Sequence, residues 1–233
     1  MKTNNDSPTL VWDTTAQEAL TQKALAFACE IHQGHFHKGS DVPYLSHLLG
    51  VASLVMEFEG SPLEATAAVL HDTLERVIKL EQPVAPFLNQ LEADFGPELV
   101  DIVKGCSDCH QAPRPKWKAR KAFYLEGLMT ASPSVLLVSL ADKLHNAQTT
   151  FWDLKKQGET AWTLLKGKKE GTLWYYGELS AEFHKRLASE KALFDAGEPS
   201  QMSPTRLKNL YYLLAIYDAH FRLIQEQARL GNI

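Results

Sequence analysis

Four residues of metal-binding type sit in apolar helical surroundings: His47, the adjacent His71 and Asp72, and Asp142. The adjacent pair lies in Val69-Leu70-His71-Asp72-Thr73-Leu74-Glu75, inside a run that reads as a buried helix. Ser61-Pro62-Leu63-Glu64 opens that helix with a capping serine, a proline at the first helical position and a glutamate three residues after the serine. Ala65, Ala67, Ala68, Val69 and Leu70 then make a small-residue segment able to pack closely against neighbours. A histidine and an aspartate placed there cost free energy unless both find partners. The plain reading is a satisfied core hydrogen bond; the chemical one is a divalent metal, which engages both at once. The company favours the metal, because His47 in Pro43-Tyr44-Leu45-Ser46-His47 and Asp142 in Ser139-Leu140-Ala141-Asp142-Lys143-Leu144-His145-Asn146 also lie in apolar helical runs. Adjacent helical residues project about 100° apart, so the ion would sit in the angle between them and draw its other ligands from elsewhere. A mixed nitrogen and oxygen shell suits manganese, iron or zinc better than calcium. Glu75, three residues beyond Asp72, rises from the same helical face and is the candidate to orient or deprotonate a water.

Other stretches offer chemistry less directly. Gly34 to Pro43 is a loop rich in histidine and positive charge, in which His35 reads as solvated. Gln111 to Lys121 is the most basic region, with Arg114, Lys116, Lys118, Arg120, Lys121 and Trp117. It is either a solvated face or a grip for a phosphate-rich ligand, whose negative charge needs such cations. Asp142, His145 and Asn146 share a helical face. Cys106-Ser107-Asp108-Cys109 has CxxC spacing, but there is no second pair for zinc and no βαβ setting for redox chemistry, so the spacing reads as coincidence. Gly167 to Tyr176 mixes glycines with aromatics, which either stack a nucleobase or anchor a helix by packing.

The elements that must position these groups are helical. Apolar residues recur at helical spacing over Ala19–Ile31, Leu45–Met56, the His71-Asp72 segment, Leu99–Val103, Leu136–Ala147 and Leu207–Leu230, with no strand alternation and no repeat. The expected class is all-α. At 233 residues the chain can bury the core of one domain. Its expected layout is a flexible tail over 1–13, a main domain over 14–198, and a linker with a C-terminal helix over 199–233 packed on that domain. That helix reads as structural or as a homodimer surface. A net charge of −4 argues against a broad nucleic-acid surface while leaving room for a local basic pocket. No apolar run reaches membrane-spanning length, and three cysteines fit a reducing cytoplasm.

Several motifs stand in collinear order: Ala26-Phe27-Ala28, His37-Lys38-Gly39, the Pro43 to His47 and Leu70 to Glu75 runs, Phe95-Gly96, Cys106-Ser107-Asp108 and the Leu140 to Asn146 run. As a set they resemble the HD-domain metal-dependent phosphohydrolases, most of all the hydrolase domain of Rel/SpoT-type alarmone enzymes and their small stand-alone bacterial relatives. The resemblance implies an HD-domain helical bundle holding Mn2+, or another divalent transition metal, through His47, His71, Asp72 and Asp142. It implies catalysis by Glu75 and Asp72 with Asn146 reaching the substrate, a guanosine tetraphosphate-like nucleotide that loses its 3′-pyrophosphate. Substrate contacts are expected from His37, Lys38, Arg76, Lys118, Arg120, Lys121, Lys143, Asn146 and Tyr175. One position departs from the pattern: the alarmone hydrolases follow the glutamate with an aspartate, and here Arg76 follows Glu75. Three outcomes stay open: Glu75 suffices alone, Arg76 grips a substrate phosphate and shifts specificity, or the site binds metal and nucleotide without turnover. The alternatives to an alarmone hydrolase are thus a silent nucleotide-binding regulator and a phosphohydrolase of another nucleotide.

Overall fold

The computed structural model describes residues 14–110 and 112–231, so the tail expected over 1–13 lies outside the described residues. The helices are α1 (Thr14–Ile31), α2 (Leu45–Glu57), α3 (Pro62–Leu70), α4 (Thr73–Lys79), α5 (Val84–Phe95) and α6 (Pro97–Cys106). They continue with α7 (Trp117–Leu128), α8 (Pro133–Gln157), α9 (Ala161–Leu164), α10 (Lys168–Ala196) and α11 (Pro204–Leu230). The fold is all-α, as its periodicity indicates. An isolated antiparallel bridge between Phe36 and Pro43 closes the base of the loop before α2.

α8 is the axis. Ser132 caps it by accepting from the Val135 N–H, and Pro133 occupies its first turn. Leu136, Leu137, Val138, Leu140, Ala141, Leu144 and Ala147 are wholly buried, and α2, α3, α6 and α11 all pack on this helix. A helix apolar on most sides belongs at the centre of a core. The burial of Ser139, Asp142 and Lys143 on it therefore calls for partners. α11 lies along α8 and α10 through Leu207, Leu210, Leu214, Tyr217 and Ile224. The Tyr217 hydroxyl donates to the Tyr176 carbonyl, and Arg206 pairs with Glu64 on α3 at 2.8 Å.

The small residues of α3 are buried as their size allows, and Ser61 and Glu64 form the complete capping box. The helix does not run on to Glu75, however. It ends at Leu70, and α4 restarts at Thr73. The cause is local: the Thr73 hydroxyl donates to the Leu70 carbonyl at 2.6 Å, and His71 Nδ1 donates to the Ala68 carbonyl at 2.7 Å. Side chains that capture backbone carbonyls three residues back compete with the helical ladder. The break carries His71 and Asp72 at the joint of two helices, where they are not held to the angular spacing of one continuous helix.

Candidate metal centre and the cavity above it

His47 comes from the first turns of α2, His71 from the α3–α4 joint and Asp142 from the middle of α8, and one donor atom from each lies within 4.8 Å of the others. His47 Nε2 is 3.2 Å and His71 Nε2 is 3.6 Å from Asp142 Oδ1. Asp72 stands beside them, with Oδ1 3.6 Å from His71 Nε2 and Oδ2 3.9 Å from His47 Nε2. The Tyr44 hydroxyl donates to Asp72. Both histidines are oriented from behind. The Ala68 carbonyl holds His71 by Nδ1, and His145 Nδ1 lies 2.9 Å from His47 Nδ1. Gly50 leaves room for that second contact, because a Cβ there would stand 2.2 Å from His145 Nε2.

The two inward Nε2 atoms are buried and make no hydrogen bond. Buried polar atoms are nearly always satisfied, so two orphaned imidazole nitrogens converging on two carboxylates fit a divalent cation. Burial opposes a charge on His71, but Asp72 and Asp142 outweigh it and hold its imidazolium up to about 9. Burial likewise opposes the Asp142 carboxylate, and Lys143, His47 and His71 together keep it well below the usual range. Lys143 pairs with Asp142 and sits over the Tyr124 ring at 4.5 Å, while the Asn146 amide also donates to Asp142.

Glu75 is not free. Its Oε1 accepts the Asp108 N–H at 3.1 Å and its Oε2 pairs with Arg114. Desolvation raises its carboxyl, reinforced by Asp108 and Asp72 and countered by Lys121 and Arg114. Asp108, which the sequence marks only within the Cys106-Ser107-Asp108 motif, is a hub: buried, it takes Arg120, Lys121 at 2.9 Å and Arg114 at 3.3 Å. A lone acid next to a basic run was the available signal, but its pairing spans a loop and the first turns of α7.

Above the triad opens a cavity of about 370 Å3. His37, Lys38, Arg76, Arg120, Lys121, Lys143 and Asn146 line it, together with Asp72, Glu75 and Asp142. Two expected contacts do not. Lys118 is exposed and turned over Trp174 at 5.3 Å, and Tyr175 is buried beneath Lys121, whose ammonium is 4.8 Å from its ring. The aromatics of the Gly167–Tyr176 segment anchor α10: a Cβ at Gly167 would stand 2.8 Å from Trp117. His35, expected to be solvated, is stacked on Tyr44 at 4.1 Å and faces the cavity with His32. Lys79, Lys166 and Asp153 are lining residues that no motif had marked. In charge, Lys38, Arg76, Lys79, Arg114, Arg120, Lys121, Lys143 and Lys166 face Asp72, Glu75, Asp108, Asp142 and Asp153, an excess of three positive charges in a chain of net −4. Cys106 and Cys109 are buried at the end of α6, and among the described residues neither joins a metal-ligand cluster.

A helical core that presents histidines and aspartates from three elements to one buried point defines a class of metal-site domain. A sequence profile of the HD domain matches residues 24–172, and the chain belongs to that family. It is similar to a Brucella ovis protein named GTP pyrophosphokinase rsh, at 36% identity over 57% of this chain and 17% of that one. It is also similar to a Haemophilus influenzae protein named guanosine-3′,5′-bis(diphosphate) 3′-pyrophosphohydrolase, at 30% identity over 52% of this chain and 17% of that one. The chain thus spans about a sixth of the length of these relatives. Among solved structures, a metazoan ortholog of SpoT described as hydrolysing ppGpp shares the fold, with a TM-score of 0.56, 22% identity, and coverage of 70% of this chain and 85% of that one. A Listeria monocytogenes EGD-e protein does so at 0.54 and 21%, covering 77% and 96%.

Proposed function

We infer that the chain is a divalent-metal-dependent phosphohydrolase that removes the 3′-pyrophosphate of a guanosine tetraphosphate-like nucleotide. The observation that carries this reading is the convergence of two orphaned, buried imidazole nitrogens and Asp142 beside a cavity of net positive charge. His47, His71, Asp72 and Asp142 would hold Mn2+ or another divalent transition metal, which supplies a water of lowered pKa and Lewis-acid stabilisation of phosphoryl charge. The rest falls to side chains of the chain itself. Arg120 and Lys121, held in place by Asp108, present positive charge to the transferred phosphate. Arg114 bridges Glu75 and Asp108, and a phosphate that draws it away leaves Glu75 Oε2 able to accept a proton from water. Asn146 and Lys143 steady Asp142 and face the substrate. Similarity to proteins named for this hydrolysis supports the choice of substrate. Arg114 on Glu75, together with Arg76 next to it, favours one second reading, a nucleotide-binding protein without turnover.

The deciding experiment gives guanosine tetraphosphate to manganese-loaded protein and follows pyrophosphate. Release is expected, with loss in Glu75→Ala, His71→Ala and Asp142→Ala. Turnover retained in either ligand variant would remove the metal mechanism. Silence in the wild type with release in Arg76→Asp would establish the second reading.

A further inference from the structure

α11 is apolar on two opposite sides. One side builds the core through Leu207, Leu210, Leu214, Tyr217 and Ile224. The other carries Tyr212, Ile216, Leu223 and Leu230, exposed at 57%, 39%, 37% and 59%. With Ala219 they recur at steps of four, three, four and seven residues, which keeps them in one stripe along the helix. The edges of the helix are already engaged. Asp218 accepts from Ser180 at 2.7 Å and pairs with His184 at 2.8 Å, both on α10, and the Asn209 amide donates to the Phe58 carbonyl at 3.3 Å just beyond α2. Between these edges the stripe faces outward. A surface helix ordinarily shows one apolar face, and a helix apolar on both sides belongs between two layers. We propose that the outer face of α11 is the contact surface for a second copy of this chain, the two α11 helices lying antiparallel across a twofold axis at the level of Tyr217.

Charge selects both the occupant and its direction. Lys208 flanks the start of the stripe, and Glu226 occupies a stripe position between Leu223 and Leu230. Both are exposed, and among the described residues neither forms an ion pair; Lys208 rests against the Tyr212 ring at 5.6 Å. α11 runs Pro204–Leu230, so Tyr217 is its midpoint, and Lys208 and Glu226 stand nine residues to either side of it. A twofold axis there overlaps the two helices along their whole length and sets each Lys208 against the partner's Glu226, twice in the dimer. Tyr212 and Arg222, five residues to either side, meet as ring and guanidinium. Leu230 then reaches Pro204 at the start of the other helix, while Ala215 and Ala219 near the axis let the backbones approach. Antiparallel helices also align their dipoles favourably. A parallel pair would instead oppose Glu226 to Glu226 and Lys208 to Lys208. A lipid surface would have to desolvate the Glu226 carboxylate inside the stripe without a partner.

Sedimentation equilibrium of the full chain over a concentration series tests the pairing, whatever the metal centre turns over. The wild type should associate to a dimer in the micromolar range, and Leu223→Glu should stay monomeric throughout. Glu226→Lys and Lys208→Glu should each weaken the dimer about tenfold, because each sets like charges opposite one another twice. Lys208→Glu/Glu226→Lys should recover the wild-type affinity. A wild type that is monomeric at every concentration overturns the proposal, and binding of that monomer to vesicles of anionic phosphatidylglycerol would give the face to lipid. A dimer indifferent to Leu223→Glu overturns it as well, since its interface lies elsewhere. A dimer lost in Leu223→Glu but insensitive to both single charge changes, or not recovered in the double variant, has another register and removes the twofold pairing at Tyr217. The substituted side chains are exposed, and melts at a dilution where the wild type is monomeric check that each variant is folded. Leu223→Ser takes the place of Leu223→Glu should the latter unfold.

Discussion

At the scale of single residues, the candidate metal ligands are oriented by the side chains behind them. His145 contacts the outer nitrogen of His47, leaving Nε2 facing inward, and Gly50 makes room for it. His145→Ala should therefore weaken Mn2+ binding by about 10- to 100-fold, measured by calorimetry. Gly50→Ala should do the same by displacing the ring; unchanged affinity in both would sink the positioning role. Asp108 makes a second prediction. Burial opposes its carboxylate, but Lys121, Arg120 and Arg114 hold it well below the usual carboxylate range. A depressed folded value means that its contribution is complete above the unfolded value of about 4 and is lost as pH falls through the folded one. Asp108→Asn should cost about 3 kcal/mol at pH 7 by leaving buried cations uncompensated, and should flatten the acid limb of stability below pH ~4. Urea melts across pH read both; parallel acid limbs in the two proteins would contradict the argument.

At the scale of elements, the α3–α4 unit is fixed at both ends. Glu64 closes the capping box on Ser61 N–H at 2.6 Å and also receives Arg206 from α11. One buried carboxylate thus starts α3 and ties it to the C-terminal helix. Glu64→Ala is expected to lower stability by about 2–4 kcal/mol, more than a cap alone, because Arg206 loses its partner too. Arg206→Ala in the Glu64→Ala background should add little, which a double-mutant cycle of urea midpoints checks. At the other end, the break before Thr73 places Glu75 on α4 rather than on a continuation of α3. Its reach to Asp108 and Arg114 follows from that restart.

At the scale of the molecule, burial sorts groups that look equivalent in composition. Cys29 is exposed on α1, whereas Cys106 and Cys109 are enclosed, and burial pushes the Cys106 thiol up to about 12. Native protein should be alkylated by iodoacetamide at Cys29 alone, with the other two modified only in urea; mass spectrometry of peptides decides. Charge is sorted in the same way. A net negative chain concentrates eight of its basic side chains on one cavity, while the described helices include none long and apolar enough to cross a membrane.

The sequence by itself determined the helical class and the capping box of α3, and it marked His47, His71, Asp72 and Asp142 as candidate ligands, of which His47, His71 and Asp142 converge with Asp72 beside them. These were legible because each is local: a cap is read within four residues, and a polar ligand type stands out in its own apolar run. Tertiary structure alone decided which cations face inward. Lys118 and Lys121 are one turn apart on α7, yet Trp174 takes the first and Asp108 the second. His35 enters the cavity by stacking on Tyr44, and Lys79 and Lys166 meet across it from distant segments. Charges act through space, and nothing in their spacing along the chain states where α4, α7 and α8 will bring them together.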